Sequence, residues 1–272
     1  MKKVLAAASM MLLTVLLTAA PVQAAPKDPL TALRKQLAQG GGVSFTERSA
    51  ARSGDKPTFE RQGLLRYGKL GITASDITAK LNFEKEPKKD SFGENDSVAD
   101  SSFMKIPERI IRIGTTSYTR GFVIGNRLPK GKVWWKQSPG WTSGVSAMVG
   151  DYINAADPGT LKVLLDRSKR SGNTYTGQIT LKELRKVSPW ARVTLWQDFN
   201  DQAAAGWKLV VSSSGLPSRL TTYSPGEGNR KRSDIRYTNW GTKASITAPP
   251  AGKVSTRLEG GGRSPLPEAP RR

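Results

Sequence analysis

Hydrophobic and polar positions along this chain alternate between a helical and a strand-like period. From Asp28 to Gly40 the apolar residues Leu30, Leu33 and Leu37 recur at helical spacing behind a capping Asp28 and a Pro29 at the first helical position, and Gly40 ends the pattern. The spacing predicts a short amphipathic helix. Asp157-Pro158 starts the same grammar again and places Leu161, Leu164 and Leu165 on one face of a second helix, predicted to run on to Gly172. Thr180-Leu181-Lys182-Glu183 is a capping-box pattern and Ser188-Pro189 a further start, which predicts mainly helix from Leu181 to Asp198. A strand at Arg192–Trp196, where β-branched and aromatic residues cluster, is its competitor.

Elsewhere the period is two, and it predicts antiparallel strands. They are Val43–Arg48, a hairpin of Gly63–Lys69 with Ile72–Phe83, a pair of Glu108–Ile113 with Ser117–Ile124, then Lys132–Gln137, Asn173–Ile179, Trp207–Ser212, Leu216–Tyr223 and Ile235–Gly241. Between Ile72 and Phe83 the apolar parity changes, which predicts a bulge near Ser75-Asp76 and therefore a curved sheet. The chain carries no internal repeat and no coiled-coil heptad.

Two stretches read as loop or tail. Glu84 to Met104 is polar, with acids at Glu84, Glu86, Asp90, Glu94, Asp96 and Asp100 against bases at Lys85, Lys88 and Lys89. Gly252 to Arg272, with three consecutive glycines and little apolar content, is expected to be a disordered tail. At the other end, Lys2-Lys3, an apolar run from Val4 to Ala20, and small residues Val22 and Ala24 fit a signal peptide cut after Ala24. A single anchoring helix is the competing reading of that run. No Cys is available for lipidation, so export would yield an extracytoplasmic protein without a lipid anchor. The expected organisation is thus a signal peptide at 1–24, one domain at 25–251 and a tail at 252–272.

Composition narrows the chemistry. Among 272 residues there is no Cys and no His, which excludes disulfides, thiol nucleophiles, Cys/His zinc sites and His-dependent triads. The 43 Lys and Arg against 22 Asp and Glu give +21, and +19 once Lys2 and Lys3 are removed, which predicts attraction to an anionic membrane surface or wall polymer. Nucleic acid is not expected as a partner, since no reading motif accompanies the charge.

The remaining motifs are weak. Gly226-Glu227-Gly228-Asn229-Arg230-Lys231 lacks the spacing and following helix of a phosphate loop and reads as a turn. Asp198-Phe199-Asn200-Asp201 has no EF-hand spacing, and Leu266-Pro267-Glu268-Ala269 lacks the apolar stop segment of a sorting signal. Paired-carboxylate sugar hydrolysis is compatible with the absence of His, and Trp134, Trp135 and Trp141 could stack on sugars, but nothing in the spacing selects two of Asp151, Glu183 and Asp198. No catalytic residue, metal ligand or cofactor emerges.

Longer stretches resemble a known family. Gly206 to Leu220 (GWKLVVSSSGLPSRL) and Ile235 to Pro250 (IRYTNWGTKASITAPP) look like the last strands of LppX/LprG-type, LolA-like actinobacterial envelope proteins. Asp28-Pro29-Leu30, and Tyr175-Thr176-Gly177 followed by Leu181-Lys182-Glu183-Leu184, are similar to other landmarks there. The resemblance is dense only over the last third of the chain, and the lipobox Cys is missing. It implies an α+β fold, a strongly curved antiparallel half-barrel sheet with helices over its concave face, and a non-enzymatic protein holding a lipid or other apolar ligand between the two layers. The alternative is an envelope interaction or sensor module of the same fold with a filled core. Ile77, Leu81, Ile111, Ile113, Trp135, Leu161, Leu164, Leu165, Trp207, Leu209 and Val211 are the positions expected to line the cavity.

Overall fold

A computed structural model describes residues 28–50, 56–68, 71–82, 106–140, 144, 146, 149–194, 200, 202–224, 232–243 and 245–260. The expected signal peptide, the acidic stretch from Glu84 to Met104 and the glycine-containing turn at 226–231 lie outside the described residues.

Among the described residues twelve strands form one curved sheet, in the order β12-β6-β5-β4-β3-β2-β1-β11-β10-β9-β8-β7. The strands are β1 (Gly42–Ala50), β2 (Phe59–Gly68), β3 (Gly71–Leu81), β4 (Glu108–Ile113), β5 (Thr116–Arg120), β6 (Trp134–Gln137), β7 (Lys169–Ser171), β8 (Thr174–Thr180), β9 (Ala204–Val211), β10 (Pro217–Tyr223), β11 (Arg232–Thr242) and β12 (Val254–Ser255). Every neighbouring pair is antiparallel except the short β12, which runs parallel to β6. The helices are α1 (Pro29–Ala38), α2 (Phe122–Gly125), α3 (Pro158–Asp166), α4 (Leu181–Val187) and α5 (Pro189–Thr194). The expected α+β class, a curved antiparallel sheet with helices on one face, is what the chain forms.

Local chemistry explains the helix starts. Asp28 accepts a hydrogen bond from the Thr31 backbone at 2.7 Å, Asp157 one from the Thr160 backbone at 2.8 Å, and Thr180 with Glu183 closes a reciprocal capping box. Between Leu181 and Thr194 the chain is helical in two pieces, broken at Ser188-Pro189, and the competing strand does not form over its described part.

The structure shifts three of these boundaries. Arg66 pairs with Ala74 but Tyr67 with Ile72, so Thr73 is the extra residue and the bulge sits before Ser75-Asp76. The extra residue returns Ile72 to the same face as Ile77, where it packs on the main core. The second helix stops at Asp166 rather than Gly172, because Lys169–Ser171 pairs with Thr174–Thr176 and Gly172-Asn173 becomes the hairpin turn. β5 ends at Arg120, and the predicted strand residues Phe122–Ile124 coil into α2. Gly121 makes this break: its φ is +78°, and a Cβ there would lie 2.1 Å from the Pro107 carbonyl.

The chain stays packed beyond the predicted tail boundary at Gly252. Ala251–Lys253 forms a 3-10 turn, β12 adds to the sheet edge, and the Glu259 N–H donates to the Arg127 carbonyl at 2.6 Å. Residues 261–272 lie outside the described residues.

Side chains alternate between the two sheet faces. The inner face, under α1, α3, α4 and α5, holds the main core, with Leu33, Leu65, Leu161, Leu164 and Leu209 fully buried. Burial of each such side chain contributes about 1.5–3 kcal/mol. The outer face is mainly polar and charged. Toward the β6 end it carries a second small cluster of Ala74, Ile111, Trp134 and Ile246, flanked by Ile113, Tyr118 and Val254.

Candidate functional site

Eight of the expected cavity residues meet on the inner face. Ile77, Trp135, Leu161, Leu164, Trp207, Leu209 and Val211 belong to the main core, and Leu165 packs against it half-buried. Ile111 and Ile113 lie on the outer face instead, and Leu81 sits half-buried at the end of β3, outside both clusters. The run Ile110-Ile111-Arg112-Ile113 is apolar at both parities, so alternation alone could not tell which isoleucines turn inward; Ile110 does.

A stretch of backbone fills the space between these residues. Residues 149–157 cross the inner face ahead of α3, and sheet side chains satisfy their peptide groups, as buried backbone requires. Glu47 of β1 accepts the Asp151 N–H at 2.7 Å, Arg61 of β2 donates to the Asp151 carbonyl at 3.2 Å, and the Trp190 indole donates to the same carbonyl at 3.0 Å. Tyr237 of β11 accepts the Ala155 N–H at 3.0 Å and donates to Asn154, and Tyr67 donates to the Ala156 carbonyl at 3.0 Å. Burial pushes both phenols well above the ordinary tyrosine range, so they act as neutral hydrogen-bonding groups. Asp151 itself accepts from the Ile153 N–H at 2.7 Å and pairs with the Thr222 hydroxyl.

At the centre Arg61 and Glu47 form an ion pair with both side chains about 2% exposed or less, its Nε to Oε2 bond 2.8 Å long. The guanidinium lies 4.8 Å from the Trp190 ring centroid and 5.9 Å from that of Phe45. A Cβ on Gly150 would approach Arg61 Nη1 to 2.7 Å, so a larger residue there would displace the guanidinium from its pairing with Glu47. Beside this pair remains a void of about 10 Å³, lined by Phe45, Glu47, Arg61, Ile153, Asn154, Trp190, Ile235 and Tyr237. That is room for one water, not for an acyl chain.

The larger space is on the other face. A groove of about 790 Å³ opens over β11, β1, β2 and β3, lined among others by Thr46, Gln62, Thr78, Arg48, Lys80 and Arg236. Register explains its composition. One line of directly paired residues crosses seven strands: Arg219, Arg236, Thr46, Gln62, Thr78, Arg109 and Arg120. Beside it runs a charged line of Asp234, Arg48, Glu60 and Lys80. Glu60 is bracketed by Arg48 at 3.2 Å and Lys80 at 2.7 Å, and Asp234 by Arg219 at 2.9 Å and Arg236 at 3.7 Å. Each carboxylate therefore leaves one positive charge in excess. The Lys80 hydrogen bond holds the Glu60 carboxyl below the ordinary range, so it is ionised at neutral pH. Arg109 makes a two-pronged pair with Asp76 at 2.9 and 2.7 Å, and Arg109 and Arg120 both lie over Trp134.

Neither the buried crossing at 149–157 nor the cross-strand line was legible as a site. The first is an irregular segment with no periodic signal, and the second joins residues that only strand order and register make neighbours.

No protein-family model matches the sequence, and no curated protein matches it. Among solved structures the chain is similar to the Mycobacterium tuberculosis lipoprotein LppX, with 12% identity over 80% of this chain and 98% of that one and a TM-score of 0.36. It is also similar to a hypothetical protein from Chlamydia trachomatis, at 10% identity over 80% of this chain and 96% of that one, TM-score 0.32. A LolA superfamily protein from Nitrosomonas europaea matches at 11% identity over 79% of this chain and 94% of that one, TM-score 0.28. LppX and LolA are the names to which the sequence resemblance also leads. Among the described residues no helix is long and apolar enough to cross a membrane.

Proposed function

We propose that this is a non-enzymatic, extracytoplasmic binding protein of LolA-like fold with a filled interior, which meets an anionic partner through its outer sheet face. One observation carries the reading: among the described residues the void beside the buried Arg61–Glu47 pair is about 10 Å³, whereas the outer face bears a groove of about 790 Å³ where Arg48, Lys80 and Arg236 outnumber Glu60 and Asp234. Long-range attraction of a chain whose net charge is +21, or +19 once Lys2 and Lys3 are removed, draws an anionic partner to the protein. Binding of the purified protein to phosphatidylglycerol vesicles and to anionic polymers, followed as salt is raised to about 0.5 M where the Debye length is a few ångströms, tests it. Loss of binding with salt is expected; salt-insensitive binding, or none to any anionic probe, overturns it.

An apolar ligand held between sheet and helices is the second reading, favoured by the large apolar cluster that sheet and helices share around the central ion pair. A lipid tail needs a cavity of roughly 300 Å³ or more, so residues 149–157 would have to leave the inner face to admit it. Mass spectrometry of extracts from the purified protein decides: a stoichiometric co-purified lipid supports this reading, and its absence together with no saturable fatty-acid probe binding removes it.

A further inference from the structure

We infer that the outer groove takes a linear anionic polymer built of hydroxylated units, such as a phosphodiester-linked polyol or a uronate glycan, laid across the strands along the Arg219-to-Arg120 line. The inference rests on the outer-face reading and specifies its partner.

Spacing is the first argument. Adjacent strands lie about 4.8 Å apart, so the seven-strand line is about 29 Å long. Cations occupy both ends, Arg219 and Arg236 at one and Arg109 and Arg120 at the other, while the middle is Thr46, Gln62 and Thr78. A small anion can engage only one end. A chain with charges repeating along its length engages both, and its hydroxyls meet the hydroxyl and amide groups of the neutral middle. Thr46 and Gln62 are exposed and their side chains are thus open to such a partner.

Shape is the second argument. The middle of the line, Thr46, Gln62 and Thr78, lies on the floor of the groove, which is long enough for a flexible strand of polymer to follow. The third is the chemistry of that floor. Its three central side chains are two threonines and a glutamine, with no aromatic ring to stack a base, which disfavours single-stranded nucleic acid. The cations remain available: the Arg48 and Arg236 side chains are 73% and 65% exposed although each touches a carboxylate. The arginine forks suit phosphate and carboxylate equally, so the polymer's charged group is left to the test.

The experiment measures affinity of the purified full chain for poly(glycerol phosphate), polygalacturonate, glycerol phosphate, neutral dextran, phosphatidylglycerol vesicles and oligo(dT). Tight binding of at least one polyanion, with glycerol phosphate at least tenfold weaker and dextran silent, is expected. Arg236→Gln combined with Arg120→Gln removes a charge from each end and should weaken polymer binding about a hundredfold, at roughly tenfold per charge-assisted bond. Thr46→Val with Gln62→Leu leaves the charge intact and should weaken it about tenfold with an unchanged salt dependence. Lys35→Gln with Lys182→Gln removes equal charge from exposed positions on the helical side and should change affinity less than twofold. Melting temperatures verify that all three variants are folded. Equal binding of monomer and polymer, or tighter binding of vesicles or oligo(dT), overturns the polymer inference while leaving the outer-face reading in place; equal weakening by the helical-side pair overturns both. Failure of every anionic probe removes both.

Discussion

Glu60 and Arg61 are consecutive residues of β2 whose side chains leave the sheet in opposite directions. Arg61 turns inward to Glu47, where water is excluded and the pair also fastens a crossing segment of backbone. Glu60 turns outward to Arg48 and Lys80, where solvent screens both contacts. The bonds are chemically alike, yet they have different consequences. A buried pair contributes little net stability relative to a well-packed apolar replacement, but loss of one partner strands a charge in a low-dielectric interior. An exposed pair can be lost at small cost, and its cations remain free to exchange the carboxylate for a partner's anion. The inner face thus uses charge to fix structure, and the outer face keeps it available for binding.

The largest effect expected from breaking this contrast is at the buried pair. Arg61→Ala should cost about 3–5 kcal/mol in urea unfolding, because Glu47 would be left buried and unpaired. Arg61→Leu with Glu47→Leu removes the stranded charge but also the acceptor of the Asp151 N–H, so it should recover the part of the loss beyond about 1–3 kcal/mol; a double variant less stable than the single one would refute the stranded-charge explanation. Leu164→Ala, on the helical side of the same layer, should cost about 2–5 kcal/mol by opening a cavity under α3. Unchanged unfolding would mean that this helix does not seal the inner face. On the outer face Lys80→Ala should cost under about 1 kcal/mol, so a loss as large as that at Arg61 would erase the distinction between the faces.

The smallest expected effect is a difference in sign with pH. Asp157, half-buried at the start of α3, has its carboxyl raised above the ordinary 3.8, chiefly by desolvation, with the Thr160 hydrogen bonds opposing. A raised folded-state value means that its stabilising contribution is full below the unfolded value and is lost as pH rises through the folded one. Glu60, held below the ordinary range by Lys80, behaves oppositely: its contribution is present above the unfolded value of 4.5 and is lost as pH falls through the folded one. Melting curves across the carboxylate range should therefore show Asp157→Asn flattening a decline toward higher pH and Glu60→Gln flattening a decline toward lower pH. Identical pH profiles for the two variants would contradict the assignment.

Local signals in the sequence were enough to place most helices and strands, while the class of fold followed from the family resemblance. Asp28, Asp157 and Thr180 are read correctly as helix caps because a cap is satisfied by backbone three residues away. The strands follow from alternation, since a half-buried pleat needs nothing beyond parity. Gly121 and the Gly172-Asn173 turn were harder: both interrupt patterns that continue beyond them, and only pairing partners show where the strand or helix ends.

The two faces were decided by tertiary structure. Which of Ile110 and Ile111 turns inward depends on the register of β4 against β3, and in an apolar run the sequence carries no parity to set it. Whether the inner layer encloses a cavity depends on where residues 149–157 go, and those residues are held by Glu47, Arg61, Tyr67 and Tyr237, separated from them by roughly a hundred positions in either direction. The arginine line of the outer face likewise exists only because strand order places β10 through β5 side by side in one register. Sequence periodicity reports what a residue does within its own element; contacts between distant elements are settled by packing, which one chain read alone does not contain.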